Sequence, residues 1–363
     1  MKSNDTADFT PKWCYNQNMA TLLEKLSYRV SQQLRAGWFS THYAATARLS
    51  PRSTPATNAV KQKFPSTQVI AEDLQRLFDH DWANIEAGMY QAPEDQWPNP
   101  LEVLKQSARY FRDLKKVNQR RSGGHGREVV KNNSTFRLPD YYLQNFHYQS
   151  DGYLSAESAQ LYDYQVEVLF TGGADAMRRQ ALAPVNNAIR KKGMRNSRLL
   201  DVGCGTGRFL KSIKQNSPRL NVSGLDLSRP YLDKAKSNLA PWSRHSLIQS
   251  AAECMPFGDN TFDVISCVYL FHELPRPIRR LVANEMKRVL KPNGVLVFMD
   301  SLQTGDFSLF DPLLERFPEE THEPYYADYL KDDLRALFAQ KGLVTETVER
   351  AFFSRMMVLT PEQ

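Results

Sequence analysis

Arg198-Leu199-Leu200-Asp201-Val202-Gly203-Cys204-Gly205-Thr206-Gly207-Arg208-Phe209-Leu210 is the stretch on which the reading of the chain turns. An apolar run ends on an acid, passes three alternating glycines and leaves as a helix with apolar periodicity. Glycine serves such a strand–turn–helix where the backbone turns tightly, approaches a ligand, or lets the helix press on the sheet. The helix that follows presents unpaired N–H groups to a ligand. On spacing alone, the same stretch also suits a tight turn that binds nothing.

Val222-Ser223-Gly224-Leu225-Asp226-Leu227-Ser228 adds a second apolar strand, ending in an acid at the separation expected for a grip on ribose hydroxyls. With the leader Leu-Leu-Asp-Val-Gly-Cys-Gly-Thr-Gly, the chain resembles the class I S-adenosylmethionine-dependent methyltransferases, of the type that includes quinone, sterol and other small-molecule methylases. The resemblance covers about residues 198–360 and supplies the cofactor, S-adenosylmethionine (SAM), which glycine spacing cannot separate from a nucleotide. It implies that Asp201 holds the loop of Gly203, Cys204, Gly205 and Gly207 through backbone amides, near the amino end of the cofactor. Asp226 is expected on the ribose hydroxyls, since a carboxylate accepts two donors, with Leu227 against adenine. Ser250-Ala251-Ala252-Glu253-Cys254-Met255-Pro256-Phe257 looks like that family's third signature. Ala251 stands where the family usually has the acid that holds the adenine amino group. Ala252 or Glu253 then substitutes, with Met255 as a polarizable contact and Val268 completing the cofactor set.

Cys267-Val268-Tyr269-Leu270-Phe271-His272-Glu273-Leu274-Pro275 ends a strand that faces the methyl donor in this fold class. His272 is the candidate base there, an imidazole poised near neutrality; it also suits a role in orienting the loop, and Glu273 is equally open. No Asn-Pro-Pro-Tyr or Asp-Pro-Pro-Tyr tetrapeptide stands at this position, which weighs against methylation of a base amine in nucleic acid. Glu285-Met286-Lys287-Arg288-Val289-Leu290-Lys291-Pro292-Asn293-Gly294-Val295-Leu296 matches the family's helix–turn–strand signature, with Pro292, Asn293 and Gly294 making the turn.

Short apolar strands at Ser197–Val202, Leu220–Leu225, Ser246–Ser250, Phe262–Val268 and Val295–Asp300 alternate with amphipathic helices. The expected fold is α/β: a Rossmann-like, mainly parallel seven-stranded sheet with helices on both faces and an N-terminal helical extension. Val344–Phe352 and Arg355–Leu359 form two further strands, an antiparallel closing pair by the resemblance. The expected divisions are an N-terminal helical region at 1–137, an aromatic-rich lid and connector at 138–195, and the SAM-binding core at 196–363.

Helical periodicity in the N-terminal region puts Leu22, Leu23, Leu26, Val30 and Leu34 on one stripe, and Leu74, Phe78, Trp82, Ile85 and Met89 on another. Ser50 to Thr67 reads as a linker. A third helix carries Leu101, Leu104, Ala108, Phe111, Leu114 and Val117, with Lys105, Arg109, Arg112, Lys115 and Lys116 on its other faces. That basic run is where a nucleic-acid or membrane-surface partner would start; a solvated face is the plainer expectation. Between Leu138 and Leu169, tyrosines crowd beside His and Gln beyond what a core needs, since each buried phenol wants a partner. This density suits either a packed aromatic seam or a lid. As a lid, Tyr142, His147, Tyr148, Tyr153 and Tyr164 would close over a floor of Tyr269 and His272, with Tyr148 and His272 as the catalytic candidates.

The net charge of +7 is small against 47 basic and 40 acidic residues. Cys14, Cys204, Cys254 and Cys267 show no metal-ligand spacing, and no metal is expected. The start lacks an apolar leader core and no apolar run approaches membrane-spanning length, so a cytoplasmic protein without membrane insertion is expected. Substrate identity and oligomeric state are not legible. The leading function is methyl transfer to a small-molecule acceptor, at oxygen or carbon; RNA or protein methylation, or an inactive cofactor-binding scaffold, are the alternatives.

Overall fold

The computed structural model describes residues 22–50, 64–95, 97–124, 126, 128–131 and 138–362. Among these, six α-helices precede the first strand: α1 (Leu22–Leu49), α2 (Thr67–Glu86), α3 (Pro100–Gly123), α4 (Ala156–Leu169), α5 (Ala174–Gln180) and α6 (Leu182–Lys192). Their ends are set locally. Ser66, Asn99 and Ser155 cap α2, α3 and α4 by accepting an amide of the first turn, and Gly124 closes α3 in the left-handed region.

There follow β1 (Arg198–Val202), α7 (Arg208–Asn216), β2 (Asn221–Asp226), α8 (Arg229–Leu239), β3 (His245–Gln249), β4 (Phe262–Val268), α9 (Arg276–Val289) and β5 (Leu290–Ser301). The chain closes with α10 (Asp311–Thr321), α11 (Tyr326–Tyr329), α12 (Leu334–Ala339), β6 (Leu343–Ala351) and β7 (Ser354–Pro361). The strands form one seven-stranded sheet in the order β3-β2-β1-β4-β5-β7-β6. The first five are parallel, and β7 runs antiparallel between β5 and β6, which is the closing pair expected. Leu199, Leu200, Val264 and Ile265 are wholly buried, as central parallel strands covered on both faces require. Strand order reverses between β1 and β4, and ligands of such sheets bind outside the carboxyl ends at that reversal.

Three details depart from the sequence reading. Pro292-Asn293-Gly294 lies within the span of β5, where the register against β4 jumps from Phe262↔Leu290 to Val264↔Val295. After Tyr326 the spacing of Leu330, Leu334, Leu337 and Phe338, with Gly342 as a stop, reads as one helix; the chain forms two short ones, because Asp333 caps α12 by accepting the Ala336 amide. On α1 the apolar stripe faces outward: Leu22 is 82% exposed, Leu23 76% and Leu34 61%. The buried face is Tyr28, Ser31, Gln32, Phe39 and His42. Each polar member has a partner there. Tyr28 donates to Asp81, Ser31 to the Tyr28 carbonyl, Gln32 to Ser31, and His42 bonds the Trp38 carbonyl and Ser107.

Asp81 is the joint between α1, α2 and the rest. Fully buried, it accepts the Tyr28 and Tyr90 hydroxyls and the Arg179 guanidinium. Arg350 on β6 grips Asp73 on α2 with two bonds of 2.6 and 2.7 Å. Leu74, Phe78, Trp82 and Ile85 of α2 share one continuous apolar cluster with the sheet. No helix among the described residues is long and apolar enough to cross a membrane.

Candidate functional site

The site is built at the carboxyl ends of β1, β2 and β4. Gly203 and Cys204 donate their amides to the Leu225 carbonyl at 2.8 and 3.0 Å, which folds the loop after β1 back over the end of β2. Gly205, at φ +52°, donates to Asp226 Oδ2 at 2.8 Å, and Ser228 donates to Asp226 Oδ1 at 2.8 Å. The two carboxylate oxygens together offer about four acceptor sites, so with the amides of Gly205, Leu227 and Ser228 bound one remains for a donor from the cleft. Burial pushes the Asp226 acid up, opposed by the amides of Ser228, Gly205 and Leu227. Gly207 does other work. At φ +72° it starts α7 pressed on α8, and a Cβ there would come within 2.9 Å of Ala235 Cβ.

Above these strand ends lies a cleft of about 710 Å³ of empty space, open solvent included. One wall is Gly203, Gly205, Asp226, Leu227 and Ala252; the other is Tyr141, Tyr142, Phe146, Tyr153 and Tyr162 from the segment preceding the core. That aromatic wall is fastened to the core. Tyr141 donates to both Glu253 oxygens, Ser228 donates to the Tyr153 carbonyl, and Thr206 donates to Asp163. The Tyr153 hydroxyl donates to Glu273 at 2.5 Å across the cleft. Tyr269, at the end of β4, holds φ +59°, a left-handed conformation costly for a bulky side chain. Its amide donates to Met299 and its hydroxyl bonds Ser354, so the sheet and the closing strand hold it there.

Glu273 is the carboxyl group that lines this space from the β4 side, beside Tyr269. Burial pushes its carboxyl up to about 7, against the pull of His272 and the Tyr153 hydrogen bond. Behind it, His272 Nε2 lies 3.8 Å from Glu273, and Nδ1 bonds Asp300 Oδ1 at 2.5 Å. Burial alone would lower the imidazole, but the Asp300 charge and hydrogen bond, with Glu273 and Glu323, push it up to about 9. Asp300 is fully buried and also accepts the amides of Leu270, Phe271 and Ser301. Glu323, 2% exposed, has a carboxyl held far above the ordinary range by burial and by Glu273. Its nearest cation-forming neighbour is His147, Nε2 at 3.3 Å. Burial and the charges of His272 and His322 lower His147 to about 3, so it stays neutral.

The sequence-predicted residues divide into two groups. Gly203, Gly205, Asp226, Leu227, Ala252, Tyr142, Tyr153, Tyr269 and Glu273 meet on the cleft. Asp201 accepts the Ser266 hydroxyl at 2.7 Å and not the loop amides, which are already used by Leu225 and Asp226; burial raises its acid to about 7. Cys204 turns into the core beside Gly224, and Val268 packs on the same core. Met255 is also buried there, its amide donating to Glu285. Glu253 is held by Tyr141. The lid set is split as well. His147 packs on Phe317 and Tyr148 on His322 beneath Arg121, while Tyr164 joins Trp38, Phe39 and Tyr110 among the N-terminal helices. His272 sits behind Glu273 rather than on the cleft lining. Sequence reasoning missed Asp300, Tyr141 and Glu323. For Asp300 the signal was present, since Val297-Phe298-Met299-Asp300 is an apolar strand ending in an acid, like those before Asp201 and Asp226.

SAM fits the residues present. A ribose would find a free lone pair on Asp226, a purine the apolar Leu227 and Ala252, and the loop backbone is open because a Cβ at Gly205 would meet nothing closer than 4.0 Å. A family model described as a methyltransferase domain matches residues 199–294. A demethylmenaquinone methyltransferase of Staphylococcus aureus is 33% identical over 117 residues, 32% of this chain and 48% of that protein. The chain thus spans about half the length of the curated relatives it matches. Among solved structures, a SAM-dependent methyltransferase from Aquifex aeolicus aligns at 21% identity and TM-score 0.38, over 50% of this chain and 91% of that one. A TehB-like SAM-dependent methyltransferase from Corynebacterium glutamicum aligns at 17% identity and TM-score 0.40, over 57% and 100%.

Proposed function

We propose that this chain, whose C-terminal part is a class I SAM-dependent methyltransferase-like domain, transfers a methyl group to a small-molecule acceptor at oxygen or carbon. The observation that supports it most is the position of Glu273: a carboxyl near neutrality, on the wall of an aromatic cleft that also holds Asp226 and the glycine loop. Bound SAM supplies an electrophilic methyl on a sulfonium. Asp226, Leu227 and Ala252 would hold its nucleoside. Tyr142 and Tyr153 keep bulk water out and present electron-rich faces suited to a cation.

Glu273, ionised above about pH 7, accepts the proton of a hydroxyl or acidic carbon at its free carboxylate oxygen, while the Tyr153 hydroxyl fixes its rotamer. His272 is cationic at neutral pH and carries a proton instead of taking one. It acts through Glu273, as the charge that keeps this buried carboxylate from being raised further. Tyr148 has no part on the cleft. The aromatic enclosure favours a small acceptor over a macromolecule, because the wall is fastened to the core by three side-chain pairs, Tyr141 with Glu253, Tyr153 with Glu273 and Asp163 with Thr206.

The test is incubation of pure protein with methyl-labelled SAM and cell extract, separated into small-molecule, RNA and protein fractions. Label is expected in the small-molecule fraction. Label confined to RNA or protein refutes the acceptor class, and no label despite cofactor binding points to an inactive scaffold.

A further inference from the structure

We propose that the outward faces of α1 and α3 form a docking surface for an anionic lipid bilayer, on which the chain lies without crossing it. The two helices run side by side in the same direction. Trp97 donates to Ser27, Ser107 meets His42, Tyr110 meets Thr46, and Asn118 donates to the Leu49 carbonyl, so advance along one matches advance along the other. Both pack inward on α4. Their outer faces therefore look the same way.

On α1 that face is apolar. Leu22, Leu23, Leu26, Val30 and Leu34 are exposed at 82, 76, 58, 39 and 61%. Beside them at the start of α3, Trp97, Leu101 and Leu104 are 53, 66 and 56% exposed. Eight large apolar side chains on one side of two helices exceed the scattered singles of an ordinary surface. They are not a misplaced core, because the inward face of α1 is specifically satisfied through Tyr28, Ser31, Gln32 and His42.

Farther along, the outer face of α3 turns basic. Lys105, Arg109, Arg112, Lys115 and Lys116 are all exposed. The acids of α3 are Glu102, bonded to Lys105 at 2.7 Å, and Asp113, turned inward to the Ser150 hydroxyl. Leucines to enter the acyl boundary, flanked by cations to meet headgroup charge, are the composition that holds a helix in the plane of a membrane surface. A second copy pairing through the same face would lay two basic stripes near each other across the two-fold axis. A nucleic acid would gain from the cations but would leave the five aliphatic side chains of α1 against phosphates.

The experiment is co-sedimentation of the full chain with phosphatidylcholine vesicles, with and without about 30% phosphatidylglycerol, at low and raised salt. Binding is expected only with the anionic lipid, weakening as salt rises. Arg109→Gln/Arg112→Gln/Lys115→Gln/Lys116→Gln should lower partitioning by roughly 10²-fold or more, at about fivefold per basic residue. Leu26→Ser/Leu34→Ser should lower it by at least about tenfold. Because these side chains are exposed, both variants should keep the wild-type melting temperature, and circular dichroism checks this. No vesicle binding, equal binding to neutral vesicles, or a dimer by light scattering that the leucine variant dissociates would overturn the proposal. Tighter binding to a single-stranded RNA than to vesicles, lost in the glutamine variant, would overturn it in favour of nucleic acid.

Discussion

Replacing Asp300 by Asn tests the buried charge arrangement behind the cleft. The carboxylate accepts His272 Nδ1 and the Ser301 amide on one oxygen, and the amides of Leu270 and Phe271 on the other. Asn preserves the shape but removes the charge and turns one acceptor into a donor. His272 rises from its ordinary 6.5 to about 9 in spite of burial, which corresponds to about 3 kcal/mol in favour of the folded imidazolium. Its folded value lies above its unfolded value. The stabilisation is therefore complete below about pH 6.5 and is lost as pH rises through about 9. Two measurements follow: the His272 ring titration by NMR, and urea unfolding at about pH 6 and about pH 10. In the Asp300→Asn variant the ring should titrate at or below 6.5, and roughly 3 kcal/mol of the pH-dependent stability loss should vanish. A wild-type His272 that titrates at its ordinary value, or an unchanged pH slope in the variant, would refute the reasoning.

Glu273→Gln should lower the rate of methyl transfer by roughly 10²-fold or more, with SAM affinity retained, and should abolish a rising limb of the rate near pH 7; single-turnover assays on the labelled acceptor fraction read this out. Gly207→Ala places a Cβ against Ala235 at positive φ and should destabilise by about 2–4 kcal/mol in denaturant melts. Asp81→Asn removes the anion that Arg179, Tyr28 and Tyr90 share; about 3–5 kcal/mol should be lost, because a buried guanidinium is left without its partner.

The sheet and the cofactor loop were legible because their signals are local. A strand-end acid, glycines at fixed offsets and apolar runs of the right length lie within one stretch of chain, and β1, β2 and β4 appear at the expected positions with small shifts at their ends. Asp201 was misread because which acid takes the loop amides depends on the neighbouring strand: Leu225 and Asp226 of β2 reach them first. Periodicity found α1 but could not say which face turns in. Satisfied polar groups, with Tyr28 on Asp81 foremost, outcompete the leucine stripe. Aromatic density likewise marked the segment before the core without separating its members. Tyr153 reaches Glu273 whereas Tyr164 bonds Trp38, and that division depends on helices far away in the sequence. His272 attracted attention as the strand-end histidine. The group that faces the cleft is its neighbour Glu273, because Asp300, twenty-eight residues on, draws the imidazole behind it.

Everything proposed for the cleft requires that it hold SAM between the glycine loop and Asp226, and titration calorimetry with SAM on the wild type and on Asp226→Ala tests this most directly. The wild type should bind one equivalent, and the variant should bind about tenfold to a hundredfold more weakly, the worth of hydrogen bonds to a charged acceptor, while keeping its helical circular dichroism. No heat from the wild type, or equal affinity in a folded Asp226→Ala variant, would contradict the assignment of this cleft.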